Sequence, residues 1–256
     1  MGCRTATPES VYANIEGEIR HGDLDKALVD LNQASKDYGT KNLEWEWRFK
    51  VLKAQCFVYR KDYKEALAIL QQDTPPQLVS SQVSVRKNMV EAIAYRYAQQ
   101  FEKSEENFKI AEDLAASYQP KFLSEVLNNY GALEIDKNDY EIAKTLLLKA
   151  LSLSRSNKNL VQEARSLGNL GFLATKQEHF DEAIDWFILR DGNYDRLAPD
   201  SDGLLKSLIF PGLWLDEKAL IAGDMARVLA VVQQGIASPE HTAFVAKLQA
   251  ARSPAK

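Results

Sequence analysis

The chain has 256 residues, 45% of them hydrophobic, with 32 basic and 36 acidic residues and a net charge of −4. This content can bury a substantial core, either as one elongated array or as two compact domains. No block of five or more like charges occurs, which disfavours broad binding to nucleic acid or to an anionic membrane. No stretch approaches the roughly 18 uninterrupted apolar residues that a transmembrane segment needs.

The N-terminus supports two interpretations of Cys3. Residues 1–7 are predicted to be a disordered tail, and the chain as written is expected to be cytoplasmic, with Cys3 as a free thiol. Gly2-Cys3 also resembles the end of a bacterial lipoprotein lipobox whose leader has been replaced by Met1. In that case Cys3 would be a lipidation site and the protein would be periplasmic. Cys56 lies in an apolar-periodic segment and is predicted to be a small buried side chain without a disulfide.

A period of about forty residues runs through most of the chain. Five segments place a large apolar residue after a polar one and a small residue three positions later. The large residues are Leu24, Tyr63, Phe101, Tyr140 and Phe180, spaced 39, 38, 39 and 40 positions apart. The small residues are Ala27, Ala66, Ser104, Ala143 and Ala183. This regularity predicts a helical repeat protein.

Two amphipathic helices are predicted in each unit. Asp23, Asp62 and Asp139 precede the second helices and are expected to be N-caps, because a short carboxylate can accept bonds from first-turn amides. In the fourth unit, a stripe at helical spacing precedes the polar turn 136–138 and consists of Phe122, Leu123, Val126, Leu127, Tyr130 and Leu133. Since neither helix can bury its apolar face alone, copies must stack.

Two units carry a family resemblance. Asn129-Tyr130-Gly131, followed by Tyr140, Ala143 and Lys149-Ala150-Leu151, resembles the tetratricopeptide signature. Asn169-Leu170-Gly171 with Phe180 and Ala183 repeats it, whereas the first three units lack the glycine. The period exceeds the family's usual length of about 34 residues. It is similar to the long repeats of kinesin light chains and of bacterial arrays associated with CHAT protease domains.

The resemblance implies an all-α fold, a right-handed superhelical solenoid of antiparallel helix pairs. Five units would occupy residues 8–190. Residues 191–252 would form a degenerate sixth repeat, with its turn at Gly223-Asp224-Met225, and a capping helix after Pro239. Residues 253–256 would be a tail.

Catalysis has little support in the sequence. His21, His179 and His241 occupy turns or a helix start, and no Gly-rich phosphate loop, zinc-type Cys/His spacing or nucleophile elbow is present. No cofactor, metal or enzymatic activity is predicted. A hydrolase hidden in the divergent C-terminal 60 or so residues is the least favoured alternative, because so short a segment hardly holds both a core and an active site.

The resemblance also implies that the first helices of successive units line a concave binding groove. The groove residues carried over from the family are Arg48, Gln55, Tyr59, Arg86, Met89, Arg96, Tyr97, Asn128, Arg165, Phe172 and Lys176. Arginine forks and aromatic rings together favour an acidic-aromatic peptide or a free C-terminal carboxylate. In an alternative interpretation, Arg48, Arg86 and Arg165 pair with glutamates along the inner helices.

The sequence therefore predicts a non-catalytic protein-interaction scaffold with a regulatory or assembly role. The alternative function is a small-molecule sensor in which the superhelix encloses a ligand near Tyr59, Tyr97 and Phe172.

Overall fold

A computed structural model describes residues 7–177, 187–190 and 193–252. Cys3, His179, Phe180 and Ala183, to which the sequence assigned roles, lie outside these described residues. The chain divides into two compact units, Met1–Asn157 and Lys158–Lys256. Each unit has its own organisation.

The first unit consists of four helix pairs. A short 3₁₀ turn precedes the first helix of the second, third and fourth pairs, at Gly39–Lys41, Pro76–Leu78 and Pro120–Phe122. The helices are α1 (Pro8–His21), α2 (Leu24–Asp37), α3 (Leu43–Tyr59), α4 (Tyr63–Leu70), α5 (Gln82–Tyr97), α6 (Phe101–Tyr118), α7 (Leu123–Lys137) and α8 (Tyr140–Ser156).

Each helix of the first unit packs on the next one along the chain, and α1, α3, α5 and α7 also pack on one another in sequence. We call these four helices the first-helix row. Stacking of this kind buries the apolar stripe of every helix between neighbours, as the amphipathic pattern requires. The core therefore extends along the unit, and each successive pair contributes a fully buried side chain: Leu31, Leu70, Phe108 and Leu147.

One turn geometry joins the two helices of every pair. Gly22, Lys61, Gln99 and Asn138 have φ of 87°, 68°, 58° and 65°, and each directly follows or closely follows a first helix. In the fourth pair the amide of Asp139 donates to the carbonyl of Glu134 at 2.8 Å, and the amide of Asn138 donates to Ile135 at 3.0 Å. These two bonds define a Schellman motif, which satisfies the last carbonyls of the first helix and turns the chain into the second.

The prediction that aspartate carboxylates cap the second helices is wrong. Asp23, Asp62 and Asp139 occupy the N-cap positions, but their side chains accept no cap hydrogen bond. Their ψ angles lie between 53° and 64°, outside the extended region typical of capping residues. Asp62 instead pairs with Arg60, with Oδ2 and Nε 3.1 Å apart.

Close contact between the two helices of a pair explains the small residues of the repeat. Ala66, Ser104 and Ala143 are completely buried. In α7, a β-carbon built on Gly131 would lie 2.8 Å from Cγ of Leu147 in α8, closer than side-chain carbons normally approach. The glycine of the repeat signature is thus a requirement of this helix crossing.

The second unit contains helices and two short hairpins. Its elements are α9 (Leu160–Lys176), β1 (Phe187–Arg190), β2 (Asn193–Arg196), β3 (Leu205–Lys206), β4 (Trp214–Leu215), α10 (Glu217–Ile221), α11 (Met225–Ile236) and α12 (Pro239–Arg252). Strands β1 and β2 pair antiparallel, as do β3 and β4. Neither hairpin was predicted, and β1 occupies the last four residues of the expected five-unit array.

The turn between α10 and α11 repeats the geometry of the first unit. Gly223 has φ of 73°, and the amide of Asp224 donates to the carbonyl of Ala219 at 2.9 Å. Helix α10 has only five residues, because the residues just before it form strand β4. Helix α12 begins at Pro239, where the capping helix was expected.

Candidate binding surface

Two tyrosines mark the exposed end of the first-helix row. Tyr59 and Tyr97 are the last residues of α3 and α5, they lie 38 positions apart in the sequence, and each is 49% exposed. Gln55, one turn before Tyr59 on α3, is partly exposed. Successive pairs thus present an aromatic ring at the same helical position.

Contacts with neighbouring pairs fix the position of Tyr97. Its ring stacks on that of Tyr63 with centroids 5.7 Å apart. Cζ of Arg96 lies 5.3 Å from the centroid of the Tyr97 ring, and Nε of Arg96 donates to Oδ2 of Asp136 at 2.7 Å. The predicted residues Arg96 and Tyr97 are therefore together, and an ion pair connects the ends of α5 and α7.

At the opposite end of the first-helix row, Arg86 connects α5 to α1. Its Nη1 donates to Oε1 of Glu16 at 2.7 Å and to the hydroxyl of Tyr12, so that α5 is tied to α1 past the intervening α3. The Arg86 side chain is only 19% exposed, and its Cζ lies 5.7 Å from the ring of Phe122.

The electrostatics agree with a structural role for this contact. Burial disfavours the charge of Arg86, but Tyr12 and Glu16 outweigh burial and raise the pKa of the guanidinium. Burial also raises the pKa of the Tyr12 hydroxyl, which Arg86 opposes. A ligand carboxylate would have to displace Glu16 to reach this arginine.

Arg48 lies in an aromatic environment close to Arg86. Its Cζ is 4.0 Å from the ring centroid of Trp45 and 4.8 Å from that of Tyr12, and its Nη1 lies 4.0 Å from Oε1 of Glu44. Arg48 and Arg86 thus both have glutamate neighbours, as the pairing interpretation of these arginines expects. Arg165 is exposed on α9 of the second unit.

Met89 and Asn128 do not lie on the exposed surface. Both are buried, within the contacts that α5 and α7 make with neighbouring helices. Both helices pack on several neighbours within the unit, and the exposed positions within α5 and α7 are Tyr97 and Asp136. The positions carried over from the family do not take this packing into account.

Two further predicted residues lie on α9. Phe172 is 47% exposed, and Nζ of Lys176 lies 5.4 Å from the centroid of its ring. Arg165, Phe172 and Lys176 therefore form part of the second unit's own surface.

Sequence reasoning did not identify Tyr12, Glu16, Tyr63 or Phe122 as parts of these sites. The bond between Tyr12 and Arg86 joins residues 74 positions apart. No local pattern encodes such a contact, because it depends on how tightly successive pairs stack. Tyr63 was visible in the sequence, but only as a repeat marker.

Reactive groups elsewhere in the described chain are few. Cys56 is buried, and burial raises the pKa of its thiol to about 11, which disfavours the reactive thiolate. Among the described residues, no group of three or more His, Cys, Asp or Glu side chains is placed to hold a metal ion. Within the same residues, no helix is both long and apolar enough to cross a membrane.

Comparisons with known proteins agree with the helix-pair architecture. Residues 122–188 match the family model of the tetratricopeptide repeat. No curated protein matches the chain significantly.

Solved structures with a similar arrangement include three that are less than a quarter identical in sequence. BtubC (BKLC) from P. vanneervenii is 20% identical with a TM-score of 0.50, over 68% of this chain and 74% of that one. A putative kinesin light chain from Podosopora anserina with nearly identical TPR-like repeats is 13% identical with a TM-score of 0.48, over 70% and 92%. MamA 41-end from Desulfovibrio magneticus RS-1 is 22% identical with a TM-score of 0.40, over 59% and 77%. At this identity, the similarity to BtubC is one of fold.

The stacked helix pairs and the matched segment define a helical repeat fold of the tetratricopeptide type. The resemblance and the all-α solenoid fold class predicted from the sequence are confirmed. At a general level, such an array is a protein-interaction scaffold, and its fold is generally non-catalytic.

Proposed function

We propose that this protein is a non-catalytic scaffold that binds a peptide segment of a partner protein at the exposed ends of α3 and α5, in a regulatory or assembly role. The observation that carries the proposal is the pair of half-exposed rings of Tyr59 and Tyr97 at matching positions of consecutive pairs. Tyrosine combines a large apolar face with a hydroxyl, and it is enriched where proteins contact one another.

The surroundings of Tyr59 and Tyr97 favour contact between these rings and a peptide. Tyr97 is stacked on Tyr63, so its ring loses little further freedom when a partner covers it. Gln55 lies one helical turn from Tyr59 and offers both a hydrogen-bond donor and an acceptor to a peptide backbone. Such a surface suits an extended segment with apolar or aromatic side chains.

Charge at this end favours an acidic residue in the same segment. Arg96 lies over the ring of Tyr97, and its carboxylate partner Asp136 is 34% exposed. The Arg96 side chain is 14% exposed, so a partner's carboxylate would have to displace the more exposed Asp136 to bind it while an aromatic neighbour packs on Tyr97. Arg86 has a different role in this proposal, because it holds α1 against α5.

The alternative of a small-molecule sensor expects enclosed rings. Tyr59, Tyr97 and Phe172 each have close to half of their surface exposed. The exposure of Tyr59 and Tyr97 therefore favours peptide binding over the enclosure of a small molecule.

A capture experiment with matched variants tests the proposal. Wild type, Tyr59→Ser/Tyr97→Ser and the control Tyr118→Ser are immobilised and exposed to an extract of the source organism. Tyr118 is 54% exposed at the end of α6, outside the first-helix row. Circular dichroism first confirms that all three proteins are equally helical.

We expect a partner that wild type and Tyr118→Ser retain and the double variant loses at least tenfold, because two aromatic contacts are removed. Arg96→Gln should weaken the same partner and reduce the salt dependence of its binding. Equal retention by the double variant and by the control would contradict the proposal.

A further inference from the structure

An apolar cleft lies within the second unit. The loop between β3 and β4 forms one wall and the first turns of α12 form the other, around a volume of about 560 Å³. Its apolar lining comes from Leu208, Pro211, Trp214, Ala243 and Phe244. Cavities of roughly 300–1,000 Å³ with mainly apolar walls are typical of small-molecule sites.

Two glycines hold the wall of the cleft in place. A β-carbon on Gly235 of α11 would lie 2.2 Å from the carbonyl oxygen of Gly212, so only glycine permits this approach of the loop. Gly212 itself has φ of 92°. The loop also contacts α12, since Nδ1 of His241 lies 3.0 Å from the carbonyl oxygen of Pro211. The cleft is thus preformed.

Among the described residues at the rim of the cleft, one cation has no acidic partner. Lys206 is held by Asp200, with Nζ and Oδ2 2.6 Å apart. Glu240 is bound by its own backbone amide and by Ser238, which lowers the pKa of its carboxyl. Lys247 also lines the cleft, and no carboxylate of the described residues lies within ion-pair distance of it.

The apolar surface continues beyond the cleft. Leu208, Ile209 and Phe210 are consecutive in the loop and are 57%, 66% and 57% exposed. The ring of Phe210 meets that of Phe244 edge-on, with centroids 6.4 Å apart. A ligand with an apolar chain would cover these side chains, which otherwise face water unfavourably.

We infer that this cleft binds a small amphiphilic carboxylate, with its aliphatic chain along Trp214 and Phe244 and its carboxylate at Lys247. The apolar walls disfavour a sugar or a nucleotide, because such ligands need several polar partners. Lys247, which has no carboxylate partner among the described residues, matches one negative charge at one end of the ligand. This site is independent of the peptide surface proposed for the first unit.

Isothermal titration calorimetry on the full chain tests this assignment. The ligands are hexanoate, octanoate and decanoate below their micellar concentrations, with octanol as the uncharged match of octanoate. Affinity should rise roughly tenfold for each two methylenes added, as expected for burial of an aliphatic chain. Octanoate should bind more tightly than octanol.

Three variants separate the contributions. Lys247→Gln should weaken octanoate about tenfold and leave octanol unchanged, whereas Lys218→Gln, at an exposed position of α10 away from the cleft, should change neither. Ala243→Phe should abolish binding of both ligands, because the larger side chain fills the cleft. Absence of binding by decanoate, equal effects of the two lysine variants, or full affinity in Ala243→Phe would overturn the assignment.

Discussion

Replacing Gly131 by alanine should destabilise the protein, although alanine is the better helix former. A β-carbon at this position would lie 2.8 Å from Cγ and 2.9 Å from Cδ2 of Leu147, which is completely buried and has no room to withdraw. Overpacking of this kind costs about 1–3 kcal/mol. The gain in helix propensity offsets about 1 kcal/mol of that. The net loss in the free energy of unfolding should therefore be about 0–2 kcal/mol.

Gly17 provides the matched control. It lies inside α1 of the same unit, and nothing lies within 4 Å of the position of an added β-carbon. Gly17→Ala should stabilise the protein by about 0.5–1 kcal/mol through propensity alone. The two substitutions are chemically identical, so opposite signs isolate the contact with Leu147.

Urea titrations followed by circular dichroism measure both effects. Gly131→Ala should also be partly rescued when Leu147 is changed to alanine, which removes the clash, so that the double variant is less destabilised than the sum of the two changes. If Gly131→Ala and Gly17→Ala shift the midpoint in the same direction, the close crossing of α7 and α8 is not what requires the glycine.

Three other perturbations have defined outcomes. Arg86→Gln should lower the unfolding free energy by about 2–3 kcal/mol in urea titrations, since it leaves the Glu16 carboxylate and the Tyr12 hydroxyl without their shared donor. A loss below about 0.5 kcal/mol would contradict a stabilising role of this contact between α1 and α5. Cys56 should resist thiol reagents at pH 8 in a variant lacking the N-terminal cysteine and react only on unfolding, because it is buried with a raised pKa. Hydrogen bonds from Lys109 and Lys137 lower the pKa of Glu105 below 4.5. The ionised Glu105 carboxylate thus provides its full stabilisation above pH 4.5 and loses it on further acidification. The difference in unfolding free energy between wild type and Glu105→Gln should therefore shrink from pH 6 to pH 3, and a constant difference would refute this.

The repeat architecture was predictable because it depends on local patterns. The regular spacing of Leu24, Tyr63, Phe101 and Tyr140 reflects a turn of fixed geometry at the end of each first helix, and the structure shows this turn in all four pairs. The turn at Gly223-Asp224 was found in the same way. Buried small residues such as Ala143 follow from the same crossing of two helices.

Other features depend on contacts that the sequence pattern does not contain. The tie between Arg86 and Tyr12 spans two helix pairs, so its existence depends on the tightness of the stack. Met89 and Asn128 were expected at the surface because the positions carried over from the family do not reflect how closely α5 and α7 approach their neighbours. The hairpin of β3 and β4 consists of two-residue strands, which are too short to produce a period-two signal.

The bond from Arg86 to Glu16 and Tyr12 has a consequence for how the first unit comes apart. In a stack whose repeats touch only their immediate neighbours, the terminal pair frays first and alone. Here the terminal helix is also fastened to the third pair, so α1 cannot detach without breaking a contact that belongs to α5. Hydrogen exchange should accordingly be nearly uniform over the first three pairs, with the N-terminal pair protected like an interior one.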